Sequence, residues 1–335
     1  MRHLVTSLLT MAVLLLSSVF TDKGFITQGL AADRPVVRVG VLKFGTVSWE
    51  LDTIKTRKLD EAEDIDLQVV DLASNQATQV ALQGGGVDMI VTDWLWVSRQ
   101  RTEGADYTFA PYSTAAGSIM VPAGSDIRSL GDLKGRKIGI AGGPLDKSWL
   151  MLRALTMQKH GFDPDKDSAK TFGAPPLLNE QVRNGGVDAV LNYWNFAARL
   201  KAAGLRELAT VEEIARELGI STDVPIIGYV FSEAWAAGNA KAVEGFLRAS
   251  KVAKEVMGRD DGEWQRLRPL TRAEDDATLT ALRDGYRAGI PTAWGAAERE
   301  DAARVYDILA KLGGHELVGA SPHLADGTFW AGSSF

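Results

Sequence analysis

Two stretches a hundred positions apart constrain this chain more than any other feature. GGVDMIVTDW runs from Gly85 to Trp94, and GGVDAVLNYW from Gly185 to Trp194. Each places a glycine pair, where a helix can close in the left-handed conformation, before a short apolar run typical of a buried strand. Each run then ends on a polar residue beside an aromatic one.

The flanks repeat as well. VVRVGVL (Val36 to Leu42) reads as a strand, Leu51 to Leu59 as a helix, Ile65 to Leu72 as a strand, and Asn75 to Gln83 as a helix before the first phrase. GRKIGIA (Gly135 to Ala141) and helices over Leu150 to Gly161 and Leu177 to Gly186 precede the second. Gly40 and Asp88 are 48 positions apart, Gly139 and Asp188 are 49. Strand and helix alternating in this way predict right-handed βαβ units, hence an α/β chain with two similarly wired parallel sheets. A length of 335 residues suits two such domains. Ligands of open parallel sheets bind just beyond the carboxyl ends of the strands. Asp93, Trp94 and Trp96 on one side, and Asn192, Tyr193 and Trp194 on the other, therefore become candidate ligand contacts. The glycines themselves need no explanation beyond stopping a helix.

The N-terminus reads as an export signal. Arg2 and His3 precede the uncharged, largely apolar stretch Leu4 to Phe20, and Gly29 and Ala31 are small residues of the kind found before a cleavage site. The signal is assigned to residues 1–32, although Asp22 and Lys23 lengthen it, and an uncleaved anchor is the plainer alternative. The chain has no cysteine, which excludes disulfides, thiolate metal sites and cysteine nucleophiles. Its net charge of -6 gives no reason to expect a nucleic-acid partner. No HExxH, GxSxG or P-loop pattern occurs, and His3, His160, His315 and His323 form no spaced ligand pair. No enzyme activity, cofactor or metal is expected, although scattered carboxylates leave an oxygen-ligand site open.

SLGDLKGRKIGIAGGPLDKSWLMLRAL (Ser129 to Leu155), the two G-x-V-D strand entries and VRVGVLKFG resemble periplasmic substrate-binding proteins of ABC importers. The group is the nitrate/taurine/alkanesulfonate (SsuA/THI5-like) type, some of whose members bind thiamine-precursor pyrimidines or other aromatic compounds. The resemblance covers most of the chain and weakens after Gly258. It implies a type II periplasmic-binding-protein fold: two α/β lobes, a two-strand hinge and a central cleft. Residues 33–120 and 228–335 would form the first lobe and 121–227 the second, with crossovers at Gly117 to Ser125 and Val224 to Ser232. The segment from His315 to Trp330 reads as a tail packed on a lobe.

Two strand-to-helix loops would face the cleft, where helix-start N–H groups suit an anion or acceptor. The first carries Lys43, Phe44, Thr46, Ser48 and Trp49, and the second Gly142, Gly143, Asp146, Lys147, Ser148 and Trp149. The resemblance adds Asn75 and Gln76. Sulfonate-binding relatives are serine-rich where this chain has GGPLDKSW, and Asp146 can cap the helix start itself, in competition with a bound anion. Trp49, Trp94, Trp96, Trp149, Tyr193 and Trp194, all in or beside expected cleft loops, suit an aromatic or cationic ligand. Trp49 and Trp149 are the stronger candidates for core packing. The expected function is a monomeric periplasmic solute-binding protein. It would deliver an aromatic or heteroaromatic, sulfonate-like or amine-containing ligand to ABC permease subunits in the inner membrane. The alternative is an exported accessory or sensory protein of the same fold that docks a protein partner.

Overall fold

A computed structural model describes residues 34–43 and 45–333. The expected signal segment and Phe44 lie outside these residues.

The chain opens with β1 (Val36–Leu42), α1 (Val47–Thr56), α2 (Leu59–Ala62), β2 (Asp66–Leu72), α3 (Asn75–Gln83), β3 (Met89–Asp93), α4 (Trp94–Thr102) and β4 (Tyr107–Ser113). It then runs through β5 (Gly117–Val121), β6 (Lys137–Ala141), α5 (Lys147–Lys159), α6 (Pro164–Asp167), β7 (Ala169–Gly173), α7 (Pro175–Arg183), β8 (Ala189–Tyr193), α8 (Trp194–Ala202), β9 (Arg206–Thr210) and α9 (Val211–Glu217). It closes with β10 (Ile227–Ser232), α10 (Glu233–Gly238), α11 (Ala240–Arg259), α12 (Asp261–Thr271), α13 (Asp276–Ala288) and α14 (Ala296–Val318).

The strands form two five-stranded sheets, ordered β2-β1-β3-β10-β4 and β7-β6-β8-β5-β9. In each, four strands run in one direction, and β10 or β5 enters antiparallel between the strand of the repeated phrase and the last strand of the sheet. This is the two-lobed type II binding-protein architecture. The chain passes between the sheets at 114–116 and again between Thr210 and Ile227. The first passage falls just before Gly117, because Gly117 to Met120 already pair with β8 and Pro122, which has no N–H to donate, lies just past the strand.

The repeated phrase has a physical explanation in both lobes. Gly85 and Gly185 adopt φ of +70° and +74°, closing α3 and α7 in the left-handed region. Asp88 then accepts the backbone N–H of Arg38 at 2.8 Å, and Asp188 that of Lys137 at 2.8 Å. Each aspartate thereby pins the start of its strand to the first strand of its sheet. Val87 and Val187 lie under Gly40 and Gly139, where an added Cβ would meet valine methyls at 3.2 and 3.5 Å. Valine fills the space that the strand glycine leaves.

Both sheets bury apolar faces against helices. Val37, Val39, Trp49, Phe246 and Trp264 build one core of the first lobe, and Ile138, Ile140, Trp149 and Leu152 belong to a second that runs on through Trp94, Phe109 and Tyr306. Between Thr328 and Trp330 the tail pairs with the outer edge of β4: Phe109 N–H donates to Thr328 O at 2.9 Å and Trp330 N–H to Phe109 O at 2.8 Å. Phe329 inserts among Trp94, Phe109 and Trp294. The tail thus covers a sheet edge that would otherwise offer unpaired groups. Among the described residues no helix is long and apolar enough to cross a membrane.

Candidate functional site

The carboxyl ends of β3 and β8, with the starts of α4, α5 and α8, bring part of the expected set together. Asp93, the last residue of β3, caps α4: its Oδ1 accepts the N–H of Trp96 at 3.0 Å. Its Oδ2 accepts from Lys147 Nζ at 2.8 Å. Asp93 belongs to the first lobe and Lys147 opens α5 in the second, so this ion pair joins the two lobes. Burial alone would lower the Lys147 pKa, but the charge and hydrogen bond of Asp93 outweigh it and raise it.

Asp146 caps α5, its Oδ1 accepting from Ser148 N–H at 3.0 Å and Trp149 N–H at 3.2 Å. Its Oδ2 faces the Tyr193 hydroxyl at a long 3.5 Å. Burial holds the Asp146 carboxyl above its ordinary range, against the opposing effect of Lys147 and the two N–H groups. Burial, and then the Asp146 charge, also push the Tyr193 phenol up. Gly142 makes this contact possible. Its φ is +84°, and a Cβ there would lie 2.9 Å from the Tyr193 hydroxyl and 3.3 Å from Asp146 Oδ2. Gly143 is half-buried in the same turn, where its carbonyl accepts from Asp146 N–H at 3.0 Å.

The other expected residues divide by burial. Trp94 and Trp149 are fully enclosed and Trp49 nearly so, all within the apolar cores. Trp94 Nε1 donates to Pro225 O at 3.0 Å, tying the β3 end to the return crossover. Trp194 is wedged edge-on against Trp49, ring centroids 5.9 Å apart, and beneath Gly285. Trp96 stacks on Tyr107 at 5.4 Å. Asn192 is buried, donating to Pro175 O and Asn179 Oδ1 at 3.0 and 2.8 Å and accepting from Tyr193 N–H at 2.8 Å, so it orients the Tyr193 backbone. Ser48 donates to Gly45 O. Thr46 begins α1 without a side-chain cap, and Lys43, Asn75 and Gln76 are exposed.

Sequence reasoning missed the residues on the hinge side. A cavity of about 60 Å³ lies behind Lys147 and Ser148, lined mainly by apolar groups of both crossovers, with Met151, Val305 and Leu309. Glu212 borders it and accepts the N–H of Ala116 at 3.1 Å, and burial raises its pKa. The signal available was the crossover itself, whose residues face the floor of any two-lobe cleft. Among the described residues no group of three or more His, Asp or Glu side chains could hold a metal ion.

Two α/β lobes of this strand order, with an ion pair joining facing strand and helix ends, define a two-lobed binding-protein fold. A family model described as NMT1/THI5 like matches residues 61–261, and the chain belongs to that family. Solved structures agree on the fold. The periplasmic aliphatic sulphonate binding protein SsuA from Escherichia coli superposes with a TM-score of 0.71 at 18% identity, over 90% of this chain and 93% of that one. The alkanesulfonate-binding protein SsuA from Xanthomonas axonopodis pv. citri, bound to MOPS, gives 0.68 at 19% identity over 89% and 99%. A putative sulfonate-binding SsuA from Methylobacillus flagellatus gives 0.64 at 16% identity over 88% and 90%. A search of curated proteins finds no match.

Proposed function

We propose that this protein is a periplasmic solute-binding protein that carries a small organic ligand to an ABC importer, and that the ligand brings hydrogen-bond donors or a positive charge. The carrying observation is the use of Asp146. Both N–H groups that its Oδ1 accepts are those an anion would need at the start of α5, and its charge repels such an anion. The remaining oxygen and the exposed Tyr193 ring offer an acceptor and a π-face together, which suits an amine-bearing or N–H heteroaromatic ligand. The sulfonate-binding proteins of like fold support the transport class, and their titles name a different ligand chemistry.

The test is a calorimetric and thermal-shift panel of amine-bearing heteroaromatics, quaternary amines, aromatic acids, taurine, alkanesulfonates and nitrate, since a ligand of the native state raises its melting temperature. Saturable binding of a donor-rich or cationic compound, weakened at least tenfold by Asp146→Ala and Tyr193→Ala, supports the reading. Tight alkanesulfonate binding that persists in the wild type and needs no Asp146 overturns the ligand class.

A further inference from the structure

A second cavity, a groove of about 900 Å³, lies along α8 and α13, and none of Asp93, Asp146, Lys147 and Tyr193 lines it. Its volume falls in the range of small-molecule sites, about 300 to 1,000 Å³. Small side chains make its floor: Ala197, Ala198 and Ala202 from α8, and Ala277, Ala281 and Ala288 from α13. The lining part of α13, from Asp276 to Ala288, is about 18 Å long at the ordinary helical rise. The groove is therefore elongated and apolar at its base.

Its walls are acidic. Glu207, Glu212, Glu213 and Asp223 stand on the second-lobe side, and Asp276 and Asp284 on α13, against two lining cations, Lys201 and Arg216. Both cations are already engaged: Lys201 Nζ donates to Glu207 Oε2 at 3.2 Å and Arg216 to Asp223 Oδ1 at 2.8 Å. Arg268 and Arg283 hold Asp276 and Asp284 from outside the lining, each through Oδ1. Asp276 and Asp284 are about 12 Å apart along the helix axis. Glu212 borders this groove and the smaller cavity behind Lys147. Burial raises its pKa, and the charge of Asp223 adds to the rise, so a cation between the two would relieve both.

We propose that this groove is a second ligand site, separate from the Asp146–Tyr193 site, for a linear aliphatic polyamine. The methylene chain lies on the alanine floor, and the ammonium groups lie between carboxylates of the two walls. The shape and chemistry of the groove exclude the other classes. Walls of one charge sign concentrate cations and repel anions. A compact cation would leave most of the volume to water. An aromatic cation finds no open ring face, because Trp194, the one aromatic residue in the lining, is wedged against Trp49.

The test is calorimetric titration of spermidine into protein from the full-length chain at about 0.1 M salt, where charges more than about 10 Å away are largely screened. The expected result is one saturable site, weakened at least tenfold in Asp223→Asn/Asp284→Asn. Both side chains are exposed, so this variant keeps the fold. Glu180→Gln/Glu244→Gln removes the same charge from exposed positions outside the groove and should leave the affinity unchanged, as should Asp146→Ala. Absence of binding, several equivalent sites, or equal losses in the two double variants overturns the proposal. Loss in Asp146→Ala with none in Asp223→Asn/Asp284→Asn would move spermidine to the cleft, which overturns the second site and supports the proposed function. Absence of binding leaves that function standing, because the groove shares no residue with the Asp146–Tyr193 contact.

Discussion

Lys147 Nζ lies 2.8 Å from Asp93 Oδ2, and the two residues come from different lobes. Both carboxylate oxygens are therefore occupied, one by the start of its own helix and one by the facing lobe. Replacing Lys147 with methionine leaves Asp93 half-buried without its cation, and the expected loss is about 1 to 2 kcal/mol of stability. The Lys147 pKa is raised in the fold, so its contribution is complete below the ordinary lysine pKa of about 10.4 and is lost as pH rises through the folded value. Denaturant unfolding of wild type and Lys147→Met should differ by a constant amount from neutral pH to about pH 9, and converge above about pH 10.5.

Asp301 predicts the opposite limb. Burial works against its charge, but the hydrogen bonds from Ser221 and Thr222 prevail and hold its pKa below the usual range. A depressed carboxylate stabilises above its unfolded pKa of about 3.9, and the contribution disappears as pH falls through the folded value. Asp301→Asn should cost about 2 kcal/mol at pH 7, with the difference from wild type shrinking below about pH 4.

Glu50 is the hub of a buried network in the first lobe. It accepts from Tyr229 Oη at 2.8 Å, Ser250 Oγ at 2.5 Å, Lys254 Nζ at 2.6 Å and Tyr286 Oη at 2.9 Å. Glu50→Ala would strand a lysine that is 5% exposed, at an expected cost of about 3 to 5 kcal/mol. The double variant Glu50→Ala/Lys254→Met should recover at least half of that loss in chemical denaturation, because no unpaired charge remains.

Gly142→Ala combines strain with a steric clash. The left-handed φ of +84° disfavours any side chain, and the added methyl meets the Tyr193 hydroxyl. The expected outcome is a loss of about 1 to 2 kcal/mol in stability, with ligand affinity reduced at least tenfold by calorimetry. Unchanged affinity would remove the Tyr193–Asp146 contact from the binding site.

Much of the fold was legible because the phrase around Gly85 and Gly185 writes its geometry locally: helix stop, aspartate staple, buried strand. β1 and α3 are found at the expected residues. β4 was harder to read, because Pro111 interrupts a strand pattern that is tolerated here beside a register shift at Ile227 and Gly228. β7 and β9 are short and largely polar or half-buried, which leaves little periodic signal. The site was less legible than the fold. A tryptophan at a helix start can turn to the cleft or to the core, and only the third dimension separates Trp94 and Trp149, enclosed, from Tyr193, exposed. Likewise, the repeat predicts that Asp93 and Lys147 lie at strand and helix ends, but their pairing depends on how one lobe is set against the other.

The place of β10 between β3 and β4 also orders events in time. A chain emerging from the ribosome has every strand of its second sheet once Thr210 is out, whereas the first sheet lacks an inner strand until Ser232 follows. The outer edge of β4 waits longer still, for Thr328 to Trp330. Over that interval β3 and β4 present open edges to whatever holds the nascent chain. Strand order, rather than any separate signal, sets how long the first lobe stays unfinished.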